Sequence, residues 1–389
     1  MYSVGRRALT APRAPGSLRP NRTRLSSSSA EVPTAREPSV RTRKVMPESM
    51  TAYRALGPGR APELVSIPRP APGPGQVLLR VGGAGVCGTD LEVVRTGVGG
   101  LPFTKPFTLG HENAGWVEDL GAGVEDLQPG QAVVVSAIQF CGACDHCAAG
   151  HENHCRSLSC RGLAEDGGFA PYMVADRRQL VELATLQPKH AAPLADAGLS
   201  AYHAVSNAVG HADRAETIAL IGVGGLGGFA VQYAKALTQA QVIAVDRSEQ
   251  RLRIARDLGA DHALDADEHW GKRVTELTRG RGVDAVVDFV GSDETLRTAV
   301  GNTRGRGAVV VCGRGGGVLP FSRALVEPGV VVMSSRGGTM RDLEHVVRMA
   351  ESGVARVEIE EFALNDIPKA IGLLREGGLT GRAVVTSPA

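Results

Sequence analysis

No run in this 389-residue sequence is both apolar and long enough to cross a bilayer, so no membrane-spanning helix is expected. The N-terminus also lacks an apolar h-region, so no secretory signal is read there. No acidic residue precedes Glu31. Residues 1–44 carry a net charge of +8, which leaves −6 for the rest of a chain whose overall charge is +2. A mildly acidic body gives no reason to expect a nucleic-acid partner. No solenoid-type repeat is visible. Cysteine is sparse: Cys87, Cys141, Cys144, Cys147, Cys155, Cys160 and Cys312 are all there are, and four of these seven crowd into fifteen residues. That crowding suits metal binding in a reducing, cytoplasmic compartment better than a disulfide framework.

What is present fits a two-domain globular enzyme. The length can hold two cores. Hydrophobic residues at 43% and charged residues at 22% are ordinary for such a protein. The fifty glycines favour many tight turns and close backbone approaches. Residues 1–45, rich in Arg, Ser and Pro, resemble a transit peptide in composition; the alternatives are a disordered extension, or translation that starts at Met46 or Met50.

After the prolines at 68, 70, 72 and 74, Gln76–Val81 reads as a strand and Gly82–Thr89 as a turn-rich crossing. Ala114–Asp119 and Gln131–Ala137 follow as strands between Gly and Pro turns. Short strands with little helix predict a partly open β-barrel over residues 46–195. The pattern changes near Asp196. Thr217–Gly222, Gln241–Val245, His262–Leu264, Asp284–Phe289, Ala308–Cys312 and Val330–Met333 read as apolar strands with helical connectors. The first connector places Leu226, Ala230, Tyr233, Ala234 and Leu237 at helical spacing. The fold class predicted is therefore α/β, with a doubly wound parallel sheet over residues 196–335. Residues 336–389 hold one amphipathic helix and the strands Glu358–Ala363 and Gly381–Val385, and are expected to return to the first domain, which makes that domain discontinuous.

Gly222, Gly224 and Gly227, with Gly225 and Leu226 between them, carry the G-x-G-x-x-G spacing. Alone the pattern is weak. Here it follows an apolar strand, opens a helix, and has Asp246 nineteen residues after Gly227 at the end of the next strand. Gly222 would make the turn, and Gly224 would let backbone N–H groups approach a pyrophosphate at the helix N-terminus. Asp246 would accept hydrogen bonds from the adenosine ribose and repel a 2′-phosphate, which favours NAD over NADP. Arg247 argues the other way, since it could meet a phosphate. Val290 and Cys312, just past and at the end of two later strands, complete the cofactor candidates.

Cys141, Cys144, Cys147 and Cys155 offer four soft ligands at short spacing, the set that closes a tetrahedral shell around a structural zinc. His146, His151 and His154 lie among them, so a mixed shell is open, and a redox cluster has compatible spacing. A second set is scattered. Cys87, His111 and Asp196 taken singly read as a small buried hydrophobe, a core histidine and a helix cap. Together they supply a thiolate, an imidazole and a carboxylate, three ligands that leave zinc a place for substrate.

The Cys87-Gly88-Thr89-Asp90 turn, Gly110-His111-Glu112, the four-cysteine lobe and the glycine turn, in that order, resemble the zinc-containing medium-chain alcohol dehydrogenases over residues 50–386. The run from Pro193 to His203 looks like the bacterial and archaeal NAD-dependent branch, where Asp can be the third zinc ligand. The resemblance implies a GroES-like barrel with a Rossmann coenzyme domain, NAD, and two zinc ions per chain, one catalytic and one structural. It implies Cys87, His111 and Asp196 as catalytic zinc ligands, with Glu112 a neighbouring carboxylate able to exchange onto the metal. Thr89 would take the proton of the substrate hydroxyl, and Asp90 would orient His111. Ser200 would lie near the nicotinamide, Arg251 at the adenosine ribose and Arg382 at the pyrophosphate. Two positions depart from many relatives: Glu92 stands where a relay histidine is usual, and Gly88 where a His or Arg is usual, which leaves more of the pyrophosphate charge to Arg382. The expected reaction is reversible oxidation of a primary or secondary alcohol to an aldehyde or ketone. A polyol or amino-alcohol dehydrogenase of the same superfamily, and a noncatalytic NAD- and zinc-binding protein, are the rival readings. Phe103 and Trp116 are candidate pocket residues, with core packing as the competing role. The resemblance and an exposed edge near Val330–Met333 predict a homodimer or homotetramer.

Overall fold

The computed structural model describes residues 48–96, 103, 105–212 and 215–386. The expected N-terminal extension lies outside them.

Two sheets organise the chain. In the first, Gln76–Gly85 pairs antiparallel with Glu112–Leu120, Tyr172–Asp176 and Arg382–Val385. Ala132–Val135 and Leu180–Glu182 continue the sheet on one side, and Ile359–Phe362 closes the other. Val77, Leu79, Val81, Val117, Val133, Val135, Met173, Ala383 and Val385 fill its interior, all essentially buried. The alternation of buried and outward residues follows from the two-residue period of a strand. A hairpin, Ser49–Ala55 with Glu63–Pro68, packs alongside; it is not among the elements the sequence pattern predicts.

The Gly82–Thr89 crossing is corrected by the structure. The strand continues to Gly85, the turn is only Val86 and Cys87, and a helix runs from Gly88 to Thr96. The glycines at 82, 83 and 85 do not break the strand. They give room for the Trp116 ring, the chain at Pro188–Lys189 and the Glu112 side chain to pack directly on it. Partner strands on both sides override the local turn signal.

The second sheet is six-stranded and wholly parallel, in the order His262–Asp265, Gln241–Asp246, Thr217–Ile221, Val283–Asp288, Thr303–Val311, Val331–Ser334. The strands predicted from the apolar runs are all present, with ends displaced by one residue to a few. Helices Ala197–His211 and Gly227–Leu237 cover one face, with Leu199, Phe229, Ala230 and Tyr233 in the core; Leu237 is more exposed than its spacing implies. Trp270 and Val274 from the helix Trp270–Leu277 cover the other face. Order reverses between Thr217–Ile221 and Val283–Asp288, so a crevice opens beyond their C-terminal ends. No described helix is long and apolar enough to cross a membrane.

Candidate functional site

Cys87 sits in the turn between its strand and the helix Gly88–Thr96. Asp90, in the first turn of that helix, holds two groups at once. Its Oδ2 accepts the Cys87 backbone N–H at 2.9 Å, and its Oδ1 meets His111 Nδ1 at 2.8 Å. Gly110 adopts φ +91°, a conformation that side chains disfavour, and the Phe169 ring fills the space a side chain would need. This turn directs His111 inward. Asp90 holds its Nδ1, so Nε2 faces Asp196 Oδ2, 3.5 Å away.

Asp196 occupies the N-cap position of the helix Ala197–His211 but makes no capping bond. Its carboxylate turns instead to His111 and takes the Ser200 hydroxyl at 3.2 Å. The ligand atoms of Cys87, His111, Glu112 and Asp196 all lie within 4.8 Å of one another. Thr89 Oγ1 is 3.7 Å from Cys87 Sγ. His111 Nε2 and one oxygen of Glu112 are buried with no hydrogen-bond partner among the described residues. Such orphans each cost about 1–3 kcal/mol unless something else satisfies them. Burial alone would lower the His111 pKa, but Asp90, Asp196 and Cys87 outweigh it and raise it well above the ordinary value. The cluster thus concentrates negative potential at one point, and its sulfur, nitrogen and oxygen ligand atoms fit zinc.

Glu112 pairs with Arg382, which is buried, and the strand Arg382–Val385 delivers that guanidinium from 270 residues away. Burial opposes the Arg382 charge, yet Glu112 and Cys87 more than compensate and hold it protonated. Its Nε has no hydrogen-bond partner among the described residues. Glu92, on the same helix as Thr89, meets Arg314 at 3.5 Å, and Arg314 follows the fifth parallel strand.

The cysteine lobe folds as the spacing predicts. Cys144 Sγ lies 3.5 Å from Cys147 Sγ and 4.0 Å from Cys155 Sγ, and Cys141 Sγ lies 3.9 Å from Cys147 Sγ. Backbone N–H groups of Ala143 and Cys144 point at Cys141 Sγ, and that of Cys141 at Cys155 Sγ. Hydrogen bonding from the backbone around Arg156 and Cys147 draws the Cys144 thiol down to about 6, while burial and neighbouring sulfurs push Cys147 up to about 12. The group comprises four cysteines and no histidine, and all four are free thiols. Four converging sulfurs at one point fit a closed zinc shell.

The glycine turn lies where the parallel sheet reverses. Gly222 has φ +87°, which forces the chain to turn there, and the helix starts at Gly227. Asp246 is buried. Its Oδ2 accepts the Val223 N–H at 2.7 Å and its Oδ1 the Ser248 N–H at 2.9 Å. Arg251 Nη1 stands 3.8 Å from the same carboxylate. A cavity of about 390 Å³ is lined by Gly222, Gly224, Gly225, Asp246, Arg251 and Val290, among others. A second, of about 410 Å³, shares Gly224, Gly225 and Arg251 and reaches Arg382. Glycine N–H groups at a helix start, with a carboxylate across the crevice, fit a dinucleotide.

Of the sequence candidates, Leu226, Gly227 and Arg247 also line the first cavity; Ser200 sits at the metal cluster, and Cys312 lines neither cavity. Phe103 packs edge-on against Phe107 at the barrel core, whereas Trp116 is half-buried outside that core, stacked with Arg80 and next to Pro188. Sequence reasoning missed Asp288. Its Oδ1 accepts the N–H groups of Val290 and Gly291, and its carbonyl those of Cys312 and Gly313, so it fixes both loops that rim the crevice. An Asp closing an apolar strand, like Asp246, was the available signal. Glu294 and Arg314 were missed as well, and only their distant partners reveal them.

The family model for the alcohol dehydrogenase GroES-like domain matches residues 73–185, and that for zinc-binding dehydrogenases matches residues 225–352. The NAD-dependent alcohol dehydrogenase of Sulfolobus acidocaldarius is 35% identical over 326 residues, 81% of this chain and 93% of the relative. The D-arabinose 1-dehydrogenase (NADP(+)) of Saccharolobus solfataricus is 35% identical over 331 residues, 83% of this chain and 93% of the relative. The crystal structure of the alcohol dehydrogenase from Aeropyrum pernix is 37% identical, with a TM-score of 0.80 over 87% of this chain and 100% of that one.

Proposed function

The chain belongs to the zinc-containing alcohol dehydrogenases of the medium-chain superfamily, and on that premise we propose that it interconverts a primary or secondary alcohol and its carbonyl compound with NAD, at a zinc held by Cys87, His111 and Asp196. The observation that carries the reading is the meeting of Cys87, His111, Glu112 and Asp196 within 4.8 Å, with Thr89 beside them.

When bound, zinc supplies Lewis acidity that lowers the pKa of an alcohol, and NAD supplies the hydride acceptor. The remaining work falls to the chain's own residues. Asp90 locks the ring of His111 and the turn bearing Cys87, so two ligands are oriented by one carboxylate. Glu112 waits beside them, tethered to Arg382. Thr89 takes the proton of the substrate hydroxyl. Glu92, one turn further along the same helix, is partly exposed and is held by Arg314. The glycine turn and Arg382 bind the pyrophosphate, and Asp246 binds the adenosine ribose while Arg251 sits beside it. The cysteine lobe holds a second, purely structural zinc.

We further propose barrel domain 46–195, coenzyme domain 196–335 and returning segment 336–389 as the domain plan, a cytoplasmic location, and a homodimer or homotetramer. The oligomer reading draws on the edge strand Val331–Ser334 and the exposed side chains of Val318, Phe321, Val331 and Val332.

The test is NAD-linked turnover with simple primary and secondary alcohols, a polyol and an aldose. Asp196→Ala should abolish turnover and remove one zinc per chain while NADH fluorescence titration still reports binding. Thr89→Ala should keep both zinc ions yet slow the chemical step by about 10²–10⁴-fold. Full zinc content and normal turnover in Asp196→Ala would make Glu112 the third ligand instead.

A further inference from the structure

The cavity beyond the parallel sheet is rimmed by charges of both signs: Asp246, Arg247, Arg251 and Glu294. They are not held equally. Asp246 is anchored by the two backbone N–H groups of Val223 and Ser248, so its carboxylate does not depend on either arginine for its place. Arg251 reaches toward it from the helix Glu249–Asp257.

Arg247 follows Asp246 directly and its side chain is 77% exposed, free in reach to swing over the ribose position. It does not. Its Nη2 crosses the mouth of the cavity to Glu294 Oε2 at 3.2 Å. Glu294 is in the first turn of the helix Asp293–Asn302, whose start is fixed by a reciprocal cap: Thr295 N–H donates to Ser292 Oγ, and Ser292 N–H to Thr295 Oγ1. Asp293 beside it accepts the Val318 N–H at 2.7 Å. The acceptor that captures Arg247 is therefore presented from a well-anchored backbone, and the arginine is the partner that moves.

We propose that Glu294 is a specificity-determining residue that acts through Arg247. Discrimination against a 2′-phosphorylated dinucleotide has two parts. Asp246 repels the phosphate, and Glu294 withdraws Arg247, whose planar guanidinium fork would otherwise add to Arg251 beside Asp246 as a phosphate-binding cation. The inference rests on the dinucleotide reading of the glycine turn.

The experiment is fluorescence titration of the full chain with NADH and with NADPH, and the readout is the ratio of the two affinities. Glu294→Gln keeps the side-chain shape and removes the charge. It should shift the ratio toward NADPH by about two- to fivefold, the size of one exposed ion pair. Adding Arg247→Gln should return the ratio to the wild-type value, because the released cation is then gone. In Asp246→Ala, Glu294→Gln should shift the ratio further by at least the same factor. A ratio unmoved by Glu294→Gln overturns the proposal, and so does a gain that survives Arg247→Gln, since loss of negative charge alone would then account for it. NADH binding in each variant reports a folded site. Wild-type protein that binds neither dinucleotide would overturn the cofactor reading itself, whereas tight NADH binding with an unmoved ratio overturns only the role of Glu294.

Discussion

Asp90 offers the sharpest test of how the metal cluster is built. It touches no ligand position itself, yet one buried carboxylate accepts the Cys87 N–H at 2.9 Å and His111 Nδ1–H at 2.8 Å, with 1% of its side chain exposed. Asp90→Asn keeps the shape but has one oxygen acceptor, so one of the two donors faces an NH₂ group and is left unsatisfied. That costs about 1–3 kcal/mol in a buried place. If the lost partner is His111, the ring is free to turn and Nε2 no longer aims at Asp196. Loss of such an orienting partner typically weakens metal affinity by about 10–100-fold, in agreement with the same free energy at about 1.4 kcal/mol per decade. The assay is zinc retention against a graded chelator, read separately for the two sites, together with NADH titration. One zinc should leave at a chelator concentration one to two decades lower, while the cysteine-lobe zinc and NADH binding hold. Unchanged retention of both ions, with turnover within twofold of wild type, would refute the reasoning.

Two other perturbations probe parts that the chemistry does not touch. Cys144→Ser removes the thiol most strongly drawn toward thiolate, so zinc content should fall by one ion per chain and the melting temperature should drop, while activity per folded molecule changes far less; a variant with both zinc equivalents refutes the lobe assignment. Asp284 is fully buried and bound by Arg281 and Arg304 and by the N–H groups of Glu216 and Thr217. Burial would raise its pKa, but these partners outweigh burial and hold it well below the usual carboxylate range. A depressed folded-state pKa gives stability that is fully present above the unfolded value near 4 and is lost as pH falls below it. Asp284→Asn should therefore lower stability at pH 7 by about 3 kcal/mol, the low end for breaking a buried pair because Arg281 is partly exposed, and should flatten the loss of stability between roughly pH 5 and pH 3. Thermal melts across that range check it, and parallel curves for the two proteins would be the contrary result.

Features whose parts lie close in sequence could be read from the sequence. The glycine turn, Asp246 and the cysteine lobe each bring their chemistry within about two dozen residues, and each has a spacing that backbone geometry dictates. The trio Cys87, His111 and Asp196 was legible by residue type and by resemblance, not by spacing, because strand pairing brings the first two together and the helix Ala197–His211 brings Asp196 from its N-cap. The register places Gly85 opposite Glu112, next to His111, and that pairing alone sets Cys87 beside it. The strand end was misplaced for the same reason: three glycines within Gly82–Gly85 read as a turn locally but serve as close-packing positions once Trp116 and Glu112 lie against them. The Arg247–Glu294 and Glu92–Arg314 pairs were illegible, since a charged side chain carries no signal of which distant partner it will meet.

Arg382 shows why the two halves of the site cannot be separated. Its strand is inserted beside Gln76–Gly85, with Val384 opposite Gly85 and Val385 opposite Ala84, so Arg382 emerges where the barrel meets the coenzyme turn. Its Nη2 is taken by Glu112, a member of the metal cluster, and its side chain also borders the cavity that contains Gly224 and Gly225. Gly88 contributes no cation to this neighbourhood. A single guanidinium therefore faces a carboxylate on the metal side and backbone N–H groups on the cofactor side, with no hydrogen-bond partner for its Nε among the described residues. A phosphate at the glycine turn and the Glu112 carboxylate would compete for the same guanidinium donors, so a bound phosphate would loosen the tether on Glu112. The occupancy of one half of the site is in this way written into the electrostatics of the other, through one buried arginine supplied by the last strand of the chain.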